Sequence, residues 1–112
     1  MSSKQYIAVY TTRAIKLLMW SEVLYIDYAK NMQAWLLHTC DGCFYKLRKG
    51  VTAEHILNWH ADLLRANKGC VVNAAYIDSI DYATLQCTMR IQNVRIAFSR
   101  SCYDAFCARY AE

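Results

Sequence analysis

The eleven residues Leu63 to Asn73 (Leu-Leu-Arg-Ala-Asn-Lys-Gly-Cys-Val-Val-Asn) set two basic residues, an amide and a glycine between an apolar lead-in and a short β-branched strand ending in Asn73. Arg65 and Lys68 supply charge, and Asn67 supplies an amide that both donates and accepts. Gly69 is free to take positive φ. An apolar lead-in and a β-branched run flank them, so the stretch reads as a small basic turn presented from a buried anchor. Its chemistry is hydrogen bonding and charge neutralisation. No nucleophile, base and orienter stand together in the chain, and an enzyme is not expected.

A second stretch, His38-Thr39-Cys40-Asp41-Gly42-Cys43, has the residue types of half a zinc site. A tetrahedral site needs four ligands, and Cys70, Cys87, Cys102 and Cys107 offer no second Cys-x-x-Cys pair. Asp-Gly between two apolar runs explains the spacing as a hairpin turn, with a redox-active Cys40–Cys43 pair as the sharper alternative. His55 and His60 lack the glutamate of a metalloprotease helix. No metal and no cofactor is expected.

These groups must be positioned by short, mostly extended elements. Residues 6–20 suggest two short strands. Val23 to Tyr28 is β-branched and aromatic, Ala29-Lys30-Asn31 is a polar turn, and Gln33 to Thr39 is the next strand. Phe44 to Lys49 returns after the Asp-Gly turn. Thr52 is a fair N-cap for a helix carrying Ile56, Trp59, His60 and Leu63 at helical spacing. Leu85, Cys87, Met89 and Ile91, then Val94, Ile96 and Phe98, alternate with polar residues. They predict a hairpin with one wet face and a two-residue Gln92-Asn93 turn. Ser99 or Ser101 caps a terminal helix with Cys102, Tyr103, Phe106 and Tyr110 on one stripe, and Asp104 offers a capping box to Ser101. The sum is a mainly β chain of about eight to ten strands and two short helices.

Composition agrees. The 112 residues suit one domain with a real core, and 56% hydrophobic with 20% charged residues excludes a disordered chain. Proline is absent and glycine occurs three times, leaving no linker. A net charge of +4 permits a polyanionic partner without requiring one. No apolar run approaches a membrane span, and Met1 to Tyr6 carries no signal-peptide core, so a cytoplasmic location with no membrane contact is expected. The six cysteines are then expected to be reduced and buried.

The Leu63–Asn73 stretch resembles the central signature of the LytTR family of bacterial DNA-binding domains, R-x-H-R-S-[YF]-[IV]-[VI]-N. Arg65, Lys68, Cys70, Val71, Val72 and Asn73 fall in register, while Asn67, Lys68 and Gly69 replace the usual His, Arg and Ser. Glu22 to Met32 resembles the family's early [DE]-[IV]-x-[YF]-[IV]-[ED]-A-x-x-[NK]-[YF] segment. Asn73 is followed by the Ile77 and Ile80 pair, and Ser99-Arg100-Ser101-Cys102-Tyr103 resembles the closing S-R-x-[YF] motif. The match runs from about Tyr6 to Phe106.

The resemblance implies small antiparallel β-sheets of the LytTR type with one or two short helices, over a single domain 1–112. It argues for a first helix ending near Trp59 or His60, with Leu63-Leu64 already in the presentation loop. It implies a stand-alone bacterial or phage transcriptional regulator that binds duplex DNA at repeated sites through loops entering successive major grooves, with a dimer on DNA and a regulatory protein partner both compatible. By position the DNA-binding residues are Lys30, Asn31, Asn67, Lys68 and Arg100. Arg100 suits a bidentate contact to guanine and Asn31 or Asn67 to adenine, while Lys30, Lys68 and Arg65 suit phosphates, as do Lys46, Arg48 and Lys49 nearby. The plain alternative for the charges is solvated surface, with Arg65 structural. A second reading keeps the fold but works through protein contacts that modulate another regulator.

Overall fold

Two hydrophobic cores lie on opposite faces of one five-stranded antiparallel sheet. The computed structural model describes residues 5–111. In chain order the elements are β1 (Tyr6–Tyr10), β2 (Ile15–Met19), β3 (Val23–Ala29), β4 (Ala34–Thr39), β5 (Phe44–Lys46) and α1 (Ala53–Leu57). Then come β6 (Leu63–Asn67), β7 (Cys70–Asn73), β8 (Ile77–Ile80), β9 (Gln86–Met89), β10 (Arg95–Ala97) and α2 (Arg100–Tyr110). The central sheet has the order β5-β4-β3-β7-β6; β1-β2 and β10-β9-β8 form two smaller sheets. The mainly β expectation holds.

The alternation of strand side chains divides the cores. On one face Val23, Ile26, Trp35, Leu37, Leu63 and Val71 pack with Val9 and Leu18 of the first hairpin and with Ala53 and Ile56 of α1. On the other, Leu24, Leu64, Ala66, Cys70 and Val72 pack with Cys87, Met89, Ile96 and Phe98, and with the Tyr103 and Phe106 stripe of α2. Strand β7 is buried at all four positions, the pattern of a strand covered on both faces.

Asn73 locks this layer to the start of β3. Its Nδ2 donates to the carbonyls of Trp20 (3.1 Å) and Val23 (2.8 Å), and its Oδ1 accepts from Ala75 N (3.1 Å). It is one of two buried polar residues among those described, and all three bonds close inside the fold.

Several local expectations change. Leu63 and Leu64 belong to β6 and point one into each core, so they anchor the basic turn instead of forming it. Thr52 does cap α1, accepting from His55 N at 3.2 Å, but the helix stops at Leu57 with Asn58 as its C-cap. The 85–98 hairpin closes through four residues, 90–93, because Met89 N already bonds Val94 O at 2.9 Å; Gln92 and Asn93 both take positive φ there. Ser99 caps α2, accepting from Cys102 N at 3.2 Å, and Ser101 is the second helical residue, so it forms no box with Asp104. The Asp-Gly turn is a three-residue loop: Thr39 N bonds Cys43 O at 2.9 Å, and Gly42 sits at φ +89°. All six cysteines are free thiols, yet only Cys70 and Cys87 are buried and Cys43 is exposed, because the cysteines of the Asp-Gly loop and of α2 lie at the surface.

Candidate nucleic-acid interface

Antiparallel register decides which turns meet. Strand β3 pairs β7 with Asp27 opposite Cys70, and Tyr28 N then bonds Gly69 O at 2.9 Å. The β3–β4 turn, carrying Lys30 and Asn31, is therefore beside the β6–β7 turn, carrying Lys68. On its other flank Leu47 N bonds Trp35 O at 2.9 Å, which brings Lys46, Arg48 and Lys49 to the same end of the sheet.

The last loop is tied in by a bulge. Arg65 faces Val71, but Asn67 faces Cys70, so Ala66 is the extra residue. Its carbonyl accepts from Ser99 N at 2.9 Å, and Asn67 Nδ2 donates to Ala97 O at 2.7 Å. Arg100, the first residue of α2, is thereby held next to the Lys68 turn, exposed, with its guanidinium 5.8 Å from the Tyr103 ring centroid. Across this end the order is segment 46–49, the Lys30 turn, the Lys68 turn, then Arg100. The opposite end carries Glu22, Asp41 and Asp62.

The residues at this end divide into free and engaged. Lys30, Asn31 and Lys68 are exposed, and their side chains have no hydrogen bond or ion pair among the described residues. Asn67 is engaged at both ends of its amide, since its Oδ1 also accepts from Gly69 N at 2.9 Å. That bond shapes the turn, so Gly69 stays outside the positive-φ region expected of it. Arg65 wraps the same turn, donating to the carbonyls of Asn67 (3.3 Å) and Lys68 (3.2 Å) and reaching Glu54 at 3.4 Å. Its role is structural. Of the nearby acids, Asp27 bonds His38 Nε2 at 2.7 Å and Asp81 accepts from the N–H groups of Ala83 and Thr84. Asp104, one helical turn beyond Arg100, is exposed.

The histidines and cysteines assemble no metal site: no group of three or more His, Cys, Asp or Glu converges among the described residues. His38 is held between the Asp27 carboxylate and the Tyr25 ring, stacked at 4.2 Å. Burial, and after it the Asp27 charge, pushes the Cys70 thiol from 9.0 up to about 12. Sequence reasoning missed the Asp27–His38 pair, whose only signal is that both residues fall on one face of paired strands. It also missed the clamp made by Asn67, which follows from the bulge.

No protein-family model matches the chain, and no curated protein matches it. Among solved structures it is similar to the LytTr DNA-binding domain of a protein described as a methyl-accepting/DNA response regulator from Bacillus cereus. The two share 16% sequence identity at a TM-score of 0.74, over 95% of this chain and 96% of that one. At that identity the likeness is one of fold, and the chain has the LytTR fold.

Proposed function

We propose that this chain of LytTR fold binds duplex DNA in a sequence-specific way and acts as a transcriptional regulator in the cytoplasm. The observation that carries the reading is the convergence of three separate loops on one end of the central sheet. They bring Lys30, Asn31, Lys68 and Arg100 out, with no partner for the first three side chains among the described residues, while the acids Glu22, Asp41 and Asp62 collect at the other end. Loops that project from one sheet end can enter successive major grooves. Arg100 then suits guanine O6 and N7, Asn31 suits adenine N6 and N7, and Lys30, Lys68, Arg48 and Lys49 neutralise phosphates. Asn67 contributes by holding the Arg100 loop in place. Repeated sites would be read by two adjacent copies, with or without dimer contacts.

The test is retention of genomic DNA fragments by the purified protein at two salt concentrations. Specific, salt-sensitive retention supports the proposal; none at either salt refutes it. A second reading, a module that modulates another regulator by protein contact, is favoured by the first hairpin. Its outward face presents Tyr6, Tyr10, Ile15, Leu17 and Met19, each 45–68% exposed, with no charge among them.

A further inference from the structure

The first hairpin has another unusual property, its edge. Trp20 N bonds Gln5 O at 3.1 Å and Thr11 N bonds Ala14 O at 2.8 Å, which brackets the ladder of β1 with β2. In an antiparallel pair hydrogen-bonded and non-hydrogen-bonded positions alternate, so Ile7 and Val9 bond β2. Tyr6, Ala8 and Tyr10 then turn their N–H and C=O groups outward, and among the described residues β1 has no other neighbour in a sheet. Native edge strands are ordinarily blunted by charge, proline or a bulge. Strand β1, Tyr-Ile-Ala-Val-Tyr, has none of these, and its register with β2 is unbroken.

This edge opens on a cleft of about 290 Å³ bordered by every residue of β1. The opposite lip is Lys46 and Arg48. Leu47 N is spent on Trp35, so the same alternation turns the backbone of Lys46 away from β4 and toward the open side. Apolar side chains bordering the cleft are Leu47, Val51, Trp20 and Trp59, the two indoles 6.3 Å apart. Trp20 Nε1 is the only buried side-chain nitrogen or oxygen without a hydrogen-bond partner among the described residues. Among the described residues no Asp or Glu borders the cleft, and the Lys46 and Arg48 side chains have no ion pair.

We infer that the outward edge of β1 receives an extended, acidic peptide segment of another protein by strand addition. Backbone groups of Tyr6, Ala8 and Tyr10 pair with the incoming strand over about 14 Å, five residues at strand rise. Alternate side chains of the peptide enter the apolar cleft. Its carboxylates meet Lys46 and Arg48, which is why an acidic segment is specified. The inference is separate from DNA binding, which uses a different set of side chains apart from Lys46 and Arg48.

The full chain, labelled with ¹⁵N, would be titrated with the capped peptide Glu-Val-Thr-Val-Glu and its counterpart Lys-Val-Thr-Val-Lys. The expected result is saturable binding, slowed amide exchange at Tyr6, Ala8 and Tyr10, and at least tenfold weaker binding of the lysine peptide. Ala8→Pro removes one outward N–H without removing a bond to β2, and should weaken binding at least tenfold. Should that variant fail to fold, the same loss is expected when the peptide is N-methylated at alternate backbone nitrogens. Arg48→Glu should abolish the preference for the acidic peptide. No saturable binding, equal binding of the two peptides, indifference to N-methylation, or protection that depends on protein concentration without peptide (a second copy as occupant) would each overturn the inference.

Discussion

Two turns at the basic end of the central sheet carry nearly the same residue types and are built on different principles. The Lys30 turn satisfies itself through its backbone: Met32 N bonds Ala29 O at 3.1 Å and Gln33 N bonds Lys30 O at 3.2 Å, with Gln33 at positive φ. Its Lys and Asn side chains are left over. The Lys68 turn is made by side chains. Asn67 holds Gly69 and Ala97, Arg65 holds the carbonyls of Asn67 and Lys68, and among the described residues only the Lys68 side chain is left without a partner. An asparagine beside a lysine can thus be part of a surface or part of the scaffold behind it. Which one it becomes depends on the strand it ends, here on the bulge at Ala66.

The largest expected effect lies just beyond the clamped turn. Asn73→Ala removes all three hydrogen bonds of a buried amide and should cost about 3 kcal/mol in chemical denaturation. A loss under about 1 kcal/mol would mean that water replaces the amide and that the scaffold on this side is looser than described. Next, Asn67→Ala should lose about 1–2 kcal/mol of stability, whereas Asn31→Ala should stay within about 0.5 kcal/mol of the parent. Equal costs at both positions would erase the distinction between the two turns.

Arg100→Ala sharpens the comparison on the DNA side. It should cost about 1–3 kcal/mol at a cognate site and relax preference at one base pair, with an unchanged melting curve. Unaltered affinity would remove Arg100 from the interface. Lys68→Ala should weaken all sequences evenly and lower the salt slope by about one unit, measured from isotherms at several salt concentrations.

The smallest change expected is none at all, at Cys70. Its thiol, raised to about 12 by burial, should resist alkylation at pH 8 while the exposed Cys43 reacts. The folded thiol titrates above the unfolded one, so its contribution is complete below pH 9.0 and is lost as pH rises toward about 12. Rapid native labelling of Cys70 would show that β7 opens easily.

Much of this architecture was legible in the chain. The alternation of Leu85 to Phe98 names a half-wet hairpin because one face of it meets the core and the other meets water. Val23 to Tyr28 and Thr52 declare a strand and a cap through local chemistry alone. Leu63-Leu64 misled for a physical reason: a strand buried on both faces shows no alternation, so its end resembles an apolar lead-in to a loop. Lys30, Asn31 and Lys68 were readable as presented polar groups. The engagement of Asn67 was not, since its partner Ala97 lies 30 residues away and the bulge that aims it leaves no local pattern. The edge of β1 was hidden likewise, because pairing parity along a ladder is set by tertiary hydrogen bonds.

Asn73 has a consequence beyond the energy of its bonds. Strand β7 offers β3 an almost featureless apolar run, with Val71 in one core and Val72 in the other. Sliding β7 by one residue would exchange valine for valine, and hydrophobicity alone would scarcely resist the error. The amide resists it. Only in the observed alignment do its donors meet the Trp20 and Val23 carbonyls while its oxygen meets Ala75. One step away, it would lie unpaired among apolar side chains, at about 1–3 kcal/mol. A single polar residue thereby discriminates among alignments that the apolar residues around it leave nearly equal.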